Sequence, residues 1–363
     1  KDGRLLAKDM HSYSNQGAYA SHGHAIAANG LTSWRLQYAC PNIRGEAYTI
    51  YTNTPVGGAM RGYGIPQVCF AIESFMDDVA NEIHMDPLEF RRKNLIQGYY
   101  EDAYLKPIAA NTNGIFECLE KGAEYIHWDE KRKEYAEQAG DVRKGVGMAL
   151  FSYKTGVWPI SLEIAGARLS LNQDGSVQLM LGATEIGQGA DTVFSQMVAE
   201  TLHTDMEHVH IKTVQDTDVS PFDTGAYASR QSFVTGTAVR HCAEILRDKI
   251  LAYAKTLLPE IDTRELTLKD NWIWAGDEQA ISLAALAEES YYSLTNSSVL
   301  TAEVSEQVKK NTIATGCCFA EVEVDIKLGK IKILHIINVH DSGKLLNPQL
   351  AEMQVHGGMS MGM

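Results

Sequence analysis

Three polar, glycine-rich turns each lead directly into a predicted helix, and no other feature of the sequence constrains the fold as strongly. They span residues 60–67, 185–189 and 225–232. A helix N-terminus presents unpaired N–H groups and the positive end of the helix dipole, so it can bind a phosphate or another oxo-anion. Glycine lets the backbone approach such a ligand closely, and Arg61, Gln188 and Arg230 can add hydrogen bonds. On the pattern alone, an anionic cofactor and ordinary helix capping both remain open.

The common nucleotide-binding fingerprints are missing from these turns. None has the form G-x-x-x-x-G-K-[ST]. The sequence also has no G-x-G-x-x-G after a predicted strand with an acidic residue about 20 positions further on. The turns therefore disfavour a P-loop site and a Rossmann dinucleotide site.

Strands and helices alternate along the chain, which predicts an α+β fold with mixed sheets and packed helices. Two β-hairpins are expected around short turns that contain glycine, namely 162–171 with 176–181 and 319–326 with 331–339. Apolar residues at helical spacing predict helices over 68–83, 193–202 and 232–258. Asp86 before Pro87 predicts the N-terminus of a further short helix.

Other segments carry weaker patterns. Residues 97–112 lack periodicity and predict a connecting loop, whereas the charge run at 127–138 predicts a helix with a solvent-exposed face. His22 and His24 are spaced like a metal-binding pair on a strand, but no third ligand lies nearby, which favours ordinary exposed or capping histidines. Glu185 is interpreted as a structural residue of its turn rather than as a general base, on the pattern of the family that the motifs at 58–67, 182–189 and 346–358 resemble.

Net charge and cysteine content restrict the partners and the compartment. The 32 basic and 46 acidic residues give a net charge of −14, which argues against nucleic acid or an anionic membrane as a partner. No apolar run approaches the ~18 residues of a membrane span. The six cysteines form no C-x-x-C pair. Together with the lack of a visible signal peptide, they predict reduced thiols in a cytoplasmic protein.

Three motifs, in chain order, resemble those of one known family. They are Gly-Ala-Met-Arg-Gly-Tyr-Gly-Ile-Pro-Gln at 58–67, Gly-Ala-Thr-Glu-Ile-Gly-Gln-Gly at 182–189, and the segment 346–358 from Leu-Asn-Pro to Gln-Val-His-Gly-Gly. They are similar to motifs of the molybdopterin-binding subunit of the molybdenum hydroxylases, the xanthine dehydrogenase/aldehyde oxidase family, above all its bacterial members. The resemblance implies a molybdopterin-binding α+β fold, with a first subdomain over 1–108 and a second over 109–363.

The resemblance also implies an activity and a set of partners. Members of the family hydroxylate a purine-like N-heterocycle or an aldehyde with oxygen derived from water. Their cofactor is molybdenum bound to molybdopterin or to its cytosine dinucleotide, and electrons pass to iron–sulfur (2Fe–2S) clusters and FAD on partner domains or subunits. We therefore expect an iron–sulfur subunit and an FAD subunit as partners, a small-molecule substrate, and a homodimer of the full complex.

Residue by residue, the resemblance assigns contacts to the cofactor and to the substrate. The expected cofactor-binding residues are Arg61, Gly187, Gln188, Gly189, Ala226, Ala228 and Ser229. Of these, Arg61 and Ala228 are expected nearest to the molybdenum, through side-chain or backbone contacts around it. The expected substrate pocket consists of Asn29, Tyr63, Val157 and Trp158. Tyr63 matches an aromatic residue that sandwiches a flat substrate in the family.

The sequence departs from the family pattern in two respects. The family's glutamate base, in a C-terminal G-E-P-P motif, and a glycine-rich loop before the first motif are not found in it. We therefore assign no catalytic residue within the chain, expect it to be a fragment of a longer polypeptide, and expect the fragment alone to be inactive. Asn29 stands where animal xanthine oxidoreductases carry a substrate-orienting arginine, which predicts a preference for other N-heterocycles over xanthine. A non-catalytic assembly module of the same fold and a phosphate-binding enzyme of another family remain as alternatives.

Overall fold

The computed structural model describes residues 2–101, 107–109, 114–212, 215–262 and 265–363. These residues divide into two compact units. Unit 1 consists of Lys1–Lys154 and Thr312–Lys344, and unit 2 consists of Thr155–Asn311 and Leu345–Met363. Each unit therefore combines two separate stretches of the chain.

The described secondary structure alternates between strands and helices. The strands are β1 (Ala7–Gly17), β2 (Asn42–Tyr51), β3 (Tyr99–Glu101), β4 (Pro107–Ala109), β5 (Val142–Thr155), β6 (Ile164–Leu171), β7 (Val177–Leu181), β8 (Val209–Ile211), β9 (Leu266–Lys269), β10 (Trp272–Ala275), β11 (Glu278–Ser282), β12 (Thr301–Gln307), β13 (Thr312–Asp325) and β14 (Lys330–Asp341). The helices are α1 (Gly23–Ser33), α2 (Ile65–Glu82), α3 (Pro87–Asn94), α4 (Ile115–Ile126), α5 (Trp128–Glu134), α6 (Ala190–Leu202), α7 (Gln231–Leu257), α8 (Leu283–Tyr292) and α9 (Pro348–Gly362), with a 3-10 turn at Met206–His208. The predicted α+β class, with mixed sheets and packed helices, is confirmed.

Unit 1 is built from small sheets with helices packed on them. β1 and β2 pair in parallel, with α1 between them in the chain, and β14, β13 and β5 form a second sheet in that order. A short antiparallel pair joins β3 and β4. The core forms where α2, α3 and α4 pack together with the second sheet. It includes Met76, Phe90, Leu119, Leu150 and Phe319.

A buried ion pair ties α2 and α3 to β5. Arg91 is fully buried, and its Nε donates a hydrogen bond to the carboxylate of Glu73 at 2.8 Å. The same carboxylate accepts hydrogen bonds from the Tyr38 hydroxyl at 2.7 Å and from the Leu150 amide at 2.9 Å. Because charges taken out of water must be compensated by close partners, this pair restricts where α2 and α3 can lie against the strand.

Unit 2 has one larger sheet covered by helices. Its strand order is β12-β6-β7-β8, with β7 and β8 parallel and the other pairs antiparallel. The 27-residue α7 packs on β6 and β12, and α6 packs on α7 and β8. A small sheet of β11, β10 and β9 also contacts α7. The buried core includes Leu169, Leu179, Phe194, Val239 and Leu246.

Most of the elements predicted from the sequence are present. Both hairpins are confirmed as the antiparallel pairs β6–β7 and β13–β14. Helices α2, α6 and α7 cover the segments with helical spacing. Asp86 caps α3 as predicted, because its carboxylate accepts hydrogen bonds from the amides of Leu88 and Glu89 at 2.8 Å and 3.3 Å.

Two local predictions need correction. The segment 97–112 is not a plain loop, because it contains the paired strands β3 and β4; its residues between these strands and after β4 lie outside the described part. The helix expected over 127–138 is the shorter α5, and its charge run is not simply exposed. Lys131 on α5 donates a hydrogen bond to the buried carboxylate of Glu321 on β13 at 2.6 Å. One side of α5 therefore faces the sheet.

The cysteines agree with the predicted thiols. All six are free, and four of them are buried. Burial raises the pKa of Cys69 and of Cys317 to about 12, so both remain protonated thiols at neutral pH. Among the helices that the structure describes, none combines the length and the apolar composition that crossing a membrane requires.

Glu321 gives unit 1 a specific pH dependence. Burial raises the pKa of this carboxyl, but hydrogen bonds from Lys131, Tyr135 and His335 outweigh burial and lower the pKa to about 2, from an ordinary value of 4.5. The stabilisation is therefore fully present above about pH 4.5 and is lost as the pH falls toward about 2. We expect Glu321→Gln to lower the free energy of unfolding at neutral pH and to flatten its decline below about pH 5.

Urea denaturation at a series of pH values measures this effect. Glu323→Gln is the matched control, because it removes the same charge from β13 without touching the Lys131 hydrogen bond. The control should keep the wild-type dependence on pH. Identical pH profiles for Glu321→Gln and the wild type would contradict the assigned coupling.

Candidate functional site

The turn at 185–189 caps α6 with its own carboxylate. Glu185 accepts hydrogen bonds from the amides of Gly187 at 2.7 Å, Gly189 at 3.1 Å and Asp191 at 3.0 Å. Burial raises the pKa of Glu185, but these amides outweigh burial, and the pKa lies below its ordinary value. The interpretation of Glu185 as structural is confirmed. Since these three amides bind a side chain, a ligand at this turn must use other groups.

Gly187 and Gln188 form the middle of this turn. Gly187 has a φ of +94°, and a side chain there would meet nothing within 4 Å, so its backbone borders open space. Gln188 is half-buried; its Oε1 accepts a hydrogen bond from the Ile186 amide at 2.6 Å, and its Nε2 donates to Oε1 of Gln231 at 2.5 Å. Gln231 is the first residue of α7. Gln188 therefore joins the second predicted turn to the third.

Arg230, in the third turn, is bound inside the protein. Its guanidinium is fully buried and donates hydrogen bonds to Glu163 and Asp223, each at 2.6 Å. It also donates to the carbonyls of Gly225 at 3.1 Å and Ile164 at 2.8 Å. The prediction that Arg230 adds a hydrogen bond to a bound anion is therefore wrong. Two buried carboxylates and one buried guanidinium compensate one another's loss of water.

The backbone next to this cluster has an unusual conformation. Ala228 and Ser229 have φ angles of 49° and 54°, in the left-handed region that residues with side chains rarely adopt. The Ala228 carbonyl accepts a hydrogen bond from the Gly156 amide at 2.9 Å. Ala226, in the same turn, is half-buried. Two consecutive left-handed residues cost energy and persist only where the surroundings hold them, as is typical of binding sites.

The turn at 156–158 is linked to the same cluster. The Val157 amide donates to Oε1 of Glu163 at 2.5 Å, and Asn311 donates to the Trp158 carbonyl at 2.6 Å. Val157 and Trp158 are both half-buried. Hydrogen bonds thus connect the turns of unit 2 that carry eight expected residues. These are Val157, Trp158, Gly187, Gln188, Gly189, Ala226, Ala228 and Ser229.

The other expected residues belong to unit 1. Asn29 on α1 donates from Nδ2 to the Tyr63 carbonyl at 3.0 Å. Nδ1 of His22 lies 2.7 Å from the Tyr63 hydroxyl. Burial raises the pKa of Tyr63, so its hydroxyl stays protonated at neutral pH. Arg61 is exposed in the same turn, shortly before α2 begins.

Two family models match most of the chain. Residues 121–363 and residues 1–95 match models of the molybdopterin cofactor-binding domain. The chain therefore belongs to the molybdopterin cofactor-binding domain family. The expected molybdenum–molybdopterin cofactor is confirmed at this level.

Relatives with curated names also support this family. Over its whole length the chain is 46% identical to the putative xanthine dehydrogenase molybdenum-binding subunit of Escherichia coli K12, and it covers 48% of that protein. Over 98% of its length it is 31% identical to the probable hypoxanthine oxidase of the same strain, of which it covers 37%. Over its whole length it is 27% identical to aldehyde oxidase 1 of Bos taurus, of which it covers 26%. The chain thus spans about half the length of the first of these relatives, and less of the others.

Solved structures share the fold. Quinoline 2-oxidoreductase from Pseudomonas putida 86 superposes with a TM-score of 0.88 at 22% identity, over 98% of this chain and 48% of that one. A Cu,Mo-containing CO dehydrogenase superposes with a TM-score of 0.83 at 23% identity, over the same shares. Both likenesses show the architecture that the described units adopt.

Two buried polar atoms fit the binding of an organic cofactor in unit 2. Oγ1 of Thr224 and Oδ1 of Asn311 are buried, and neither has a hydrogen-bond partner among the described residues. Thr224 lies in the turn before Gly225, and Asn311 is bonded to the turn at 156–158. Buried polar atoms in native proteins nearly always have a partner, and a cofactor rich in polar groups can supply one. Together with the open backbone at Gly187, these atoms match the group that the family binds.

Sequence reasoning did not find several residues of this site. Glu163 bonds to Arg230 across 67 positions, and Asn311 bonds to Trp158 across 153 positions. Neither residue lies in a recognisable motif, so no local signal marks it. Gln231 follows Arg230 in the third turn, and only its placement in that turn could have drawn attention to it.

The Arg230 cluster predicts a large effect on stability. Glu163→Gln removes one of two charges that face a fully buried guanidinium. We expect the free energy of unfolding to fall by about 3 kcal/mol or more, because an incompletely paired charge remains buried. Chemical denaturation followed by tryptophan fluorescence measures the loss.

Glu303→Gln is the control for this experiment. It breaks the pair between Arg168 on β6 and Glu303 on β12, in which both side chains are partly exposed to water. We expect it to cost about 1 kcal/mol or less. A Glu163 variant no less stable than the Glu303 variant would show that the cluster does not hold the turns.

Proposed function

We propose that the chain forms the molybdenum-cofactor-binding portion of an oxidoreductase that hydroxylates a purine-like N-heterocycle or an aldehyde with oxygen derived from water. The hydrogen-bonded turns of unit 2, in a chain that belongs to the molybdopterin cofactor-binding domain family, carry this proposal. The names of its relatives support it, since they include a xanthine dehydrogenase subunit and an aldehyde oxidase.

In this proposal the turns hold the cofactor mainly through backbone groups. Gly187 borders open space, so a ligand can approach its backbone closely, whereas Gly189 packs against Leu350. Ala226, Ala228 and Ser229 line the third turn, which Gln188 joins to this one through Gln231. The bound cofactor supplies the oxygen-transfer and electron-accepting chemistry, which no protein side chain provides. Nε2 of Gln188 donates to Thr184 and Gln231, and Oε1 accepts from Ile186, so the remaining acceptor capacity of Oε1 can orient the cofactor while the side chain keeps its turn in place.

The proposed contacts to the metal and to the substrate are described for each unit by itself. In unit 1, Arg61 would offer a guanidinium to the cofactor, and in unit 2 the backbone of Ala228 would line it. Tyr63 and Trp158 offer flat apolar surfaces, which suit an aromatic ring. Val157 adds a small apolar contact, and no residue of this chain is assigned as the catalytic base.

The proposed assembly follows from the same family. We propose a cytoplasmic complex with an iron–sulfur subunit and an FAD subunit, arranged as a homodimer. The subdomain boundary between 108 and 109 is also a proposal, which the separate matches of 1–95 and 121–363 support. Free thiols at all six cysteines are consistent with a reducing compartment.

Gln188 provides the first test. In the holoenzyme, Gln188→Ala removes an amide that bonds to the cofactor in this proposal and to Gln231 in the structure. One lost buried hydrogen bond is expected to weaken cofactor retention by about 10-fold or more. Gln188→Glu keeps an acceptor for the Ile186 amide but loses the donor, so it should lose molybdenum too. Elemental analysis of the purified enzyme, with turnover measured alongside, reports both effects.

Gln279→Ala, on the exposed part of β11, is the matched control and should keep the wild-type molybdenum content. Full molybdenum content and activity in both Gln188 variants would contradict the assignment of this turn. A wild-type complex that binds molybdenum without turning over any substrate would favour the non-catalytic assembly module. A wild-type complex that binds no molybdenum would overturn the proposal.

Asn29 leads to a prediction about the substrate. An amide cannot provide the bidentate, charged contact that a guanidinium makes with an anionic or carbonyl group. The Asn29 amide is also engaged with the Tyr63 carbonyl. We therefore expect a neutral or differently substituted N-heterocycle to be preferred over xanthine. Steady-state kinetics of the holoenzyme on a panel of xanthine, hypoxanthine, quinoline and an aromatic aldehyde decide this, and a large advantage for xanthine in kcat/KM would refute it.

A further inference from the structure

Tyr63 is held at both of its ends by residues at one helix, α1. The Asn29 side chain donates to its backbone carbonyl at 3.0 Å, and Nδ1 of His22 lies 2.7 Å from its hydroxyl oxygen. The His22 and Tyr63 rings also meet edge to face, with centroids 6.0 Å apart and planes at 83°. Both the backbone carbonyl of Tyr63 and the hydroxyl at the tip of its ring therefore have a partner.

The spacing along α1 explains this arrangement. His22 directly precedes the helix, and Asn29 follows it by seven positions, which places both residues on the same side two turns apart. The Tyr63 side chain therefore lies along α1, with its hydroxyl at the N-terminal end of the helix.

Close backbone packing seats the turn on this helix. A Cβ on Gly64 would lie 2.3 Å from the Ile26 carbonyl oxygen, and a Cβ on Gly30 would lie 2.9 Å from the Gly64 carbonyl oxygen. Both distances are too short for any residue but glycine. Tyr63 itself has a φ of 51°, a conformation that a bulky residue keeps only where the surroundings hold it.

We propose that His22 is a positioning residue, which fixes the Tyr63 ring as a wall of the substrate pocket by binding its hydroxyl. This inference rests on the proposed function, in which Tyr63 contacts the substrate. An imidazole can accept the phenol proton at Nδ1, which holds the tip of the ring in place, and the edge-to-face contact of the two rings restricts its rotation before a flat heterocycle arrives. Pre-organisation of this kind lowers the cost of binding and appears in KM more than in kcat.

Substitutions at three positions separate this role from a purely structural one. In the holoenzyme, with the best substrate of the panel above, His22→Ala should raise KM about 5-fold with kcat nearly unchanged, because one neutral hydrogen bond is lost. His22→Asn should stay near the wild type, since its side-chain oxygen can take the place of Nδ1. Tyr63→Phe should resemble His22→Ala, and the double variant should be no worse than either single one. His24→Ala, in the first turn of the same helix and also exposed, is the control and should leave KM unchanged.

A second readout does not depend on turnover. In protein labelled with 15N-histidine, the Nδ1 resonance of His22 should move in Tyr63→Phe, and the resonances of His24 should not. If Tyr63→Phe raises KM while His22→Ala does not, or if the His22 resonance stays in place, the positioning inference fails and the pocket assignment stands. If Tyr63→Phe leaves KM unchanged, the hydroxyl contact does not position the ring and the inference fails. Tyr63→Ala, which removes the ring itself, tests the pocket, and an unchanged KM in that variant would overturn the proposed pocket.

Discussion

The N-terminus of α7 is the point on which the arrangement of unit 2 depends. Arg230 and Gln231 are consecutive, yet the first binds Glu163 and Asp223, while the second binds Gln188. A buried guanidinium must keep its carboxylates within hydrogen-bond distance, because neither charge has water as a substitute. The turns that carry these partners are therefore not free to move independently. The proposed cofactor-binding backbone is positioned by an ion cluster inside the protein.

Unit 1 uses the same physical device. Arg91 is fully buried and binds Glu73 in the middle of α2, and the Glu73 carboxylate also accepts the Leu150 amide of β5. Since α2 begins directly after the turn that carries Tyr63, the pair that anchors the helix also restricts this turn. The close packing of this turn on α1 then determines how the turn is oriented. In both units, a turn of the proposed site precedes a helix, and a buried arginine with its carboxylates fixes the position of that helix.

A glycine-rich turn can cap a helix and still leave part of its backbone open. At the second turn, Glu185 takes three amides near the start of α6 and so acts as the capping anion itself. Gly187 nevertheless borders open space on the same turn. At the third turn, the Arg230 side chain binds buried carboxylates inside the protein. The neighbouring Ala228 and Ser229 adopt the strained backbone that binding sites often contain. Capping and internal hydrogen bonds thus use some atoms of these turns and leave others open for the proposed cofactor.

The sequence by itself determined several of the elements and the family. Periodicity was sufficient for α2, α6 and α7 because the burial of a helix face depends on residues only three or four positions apart. The motifs around Arg61 and Gln188 were sufficient for the family. Only the tertiary structure determined which charged groups are buried away from water. Arg61 and Arg230 both lie in polar, glycine-rich turns, yet one is exposed and the other fully buried. The difference arises because the loss of water around a charge depends on what packs against it, and one of the two carboxylates that pack against Arg230, that of Glu163, lies 67 residues away.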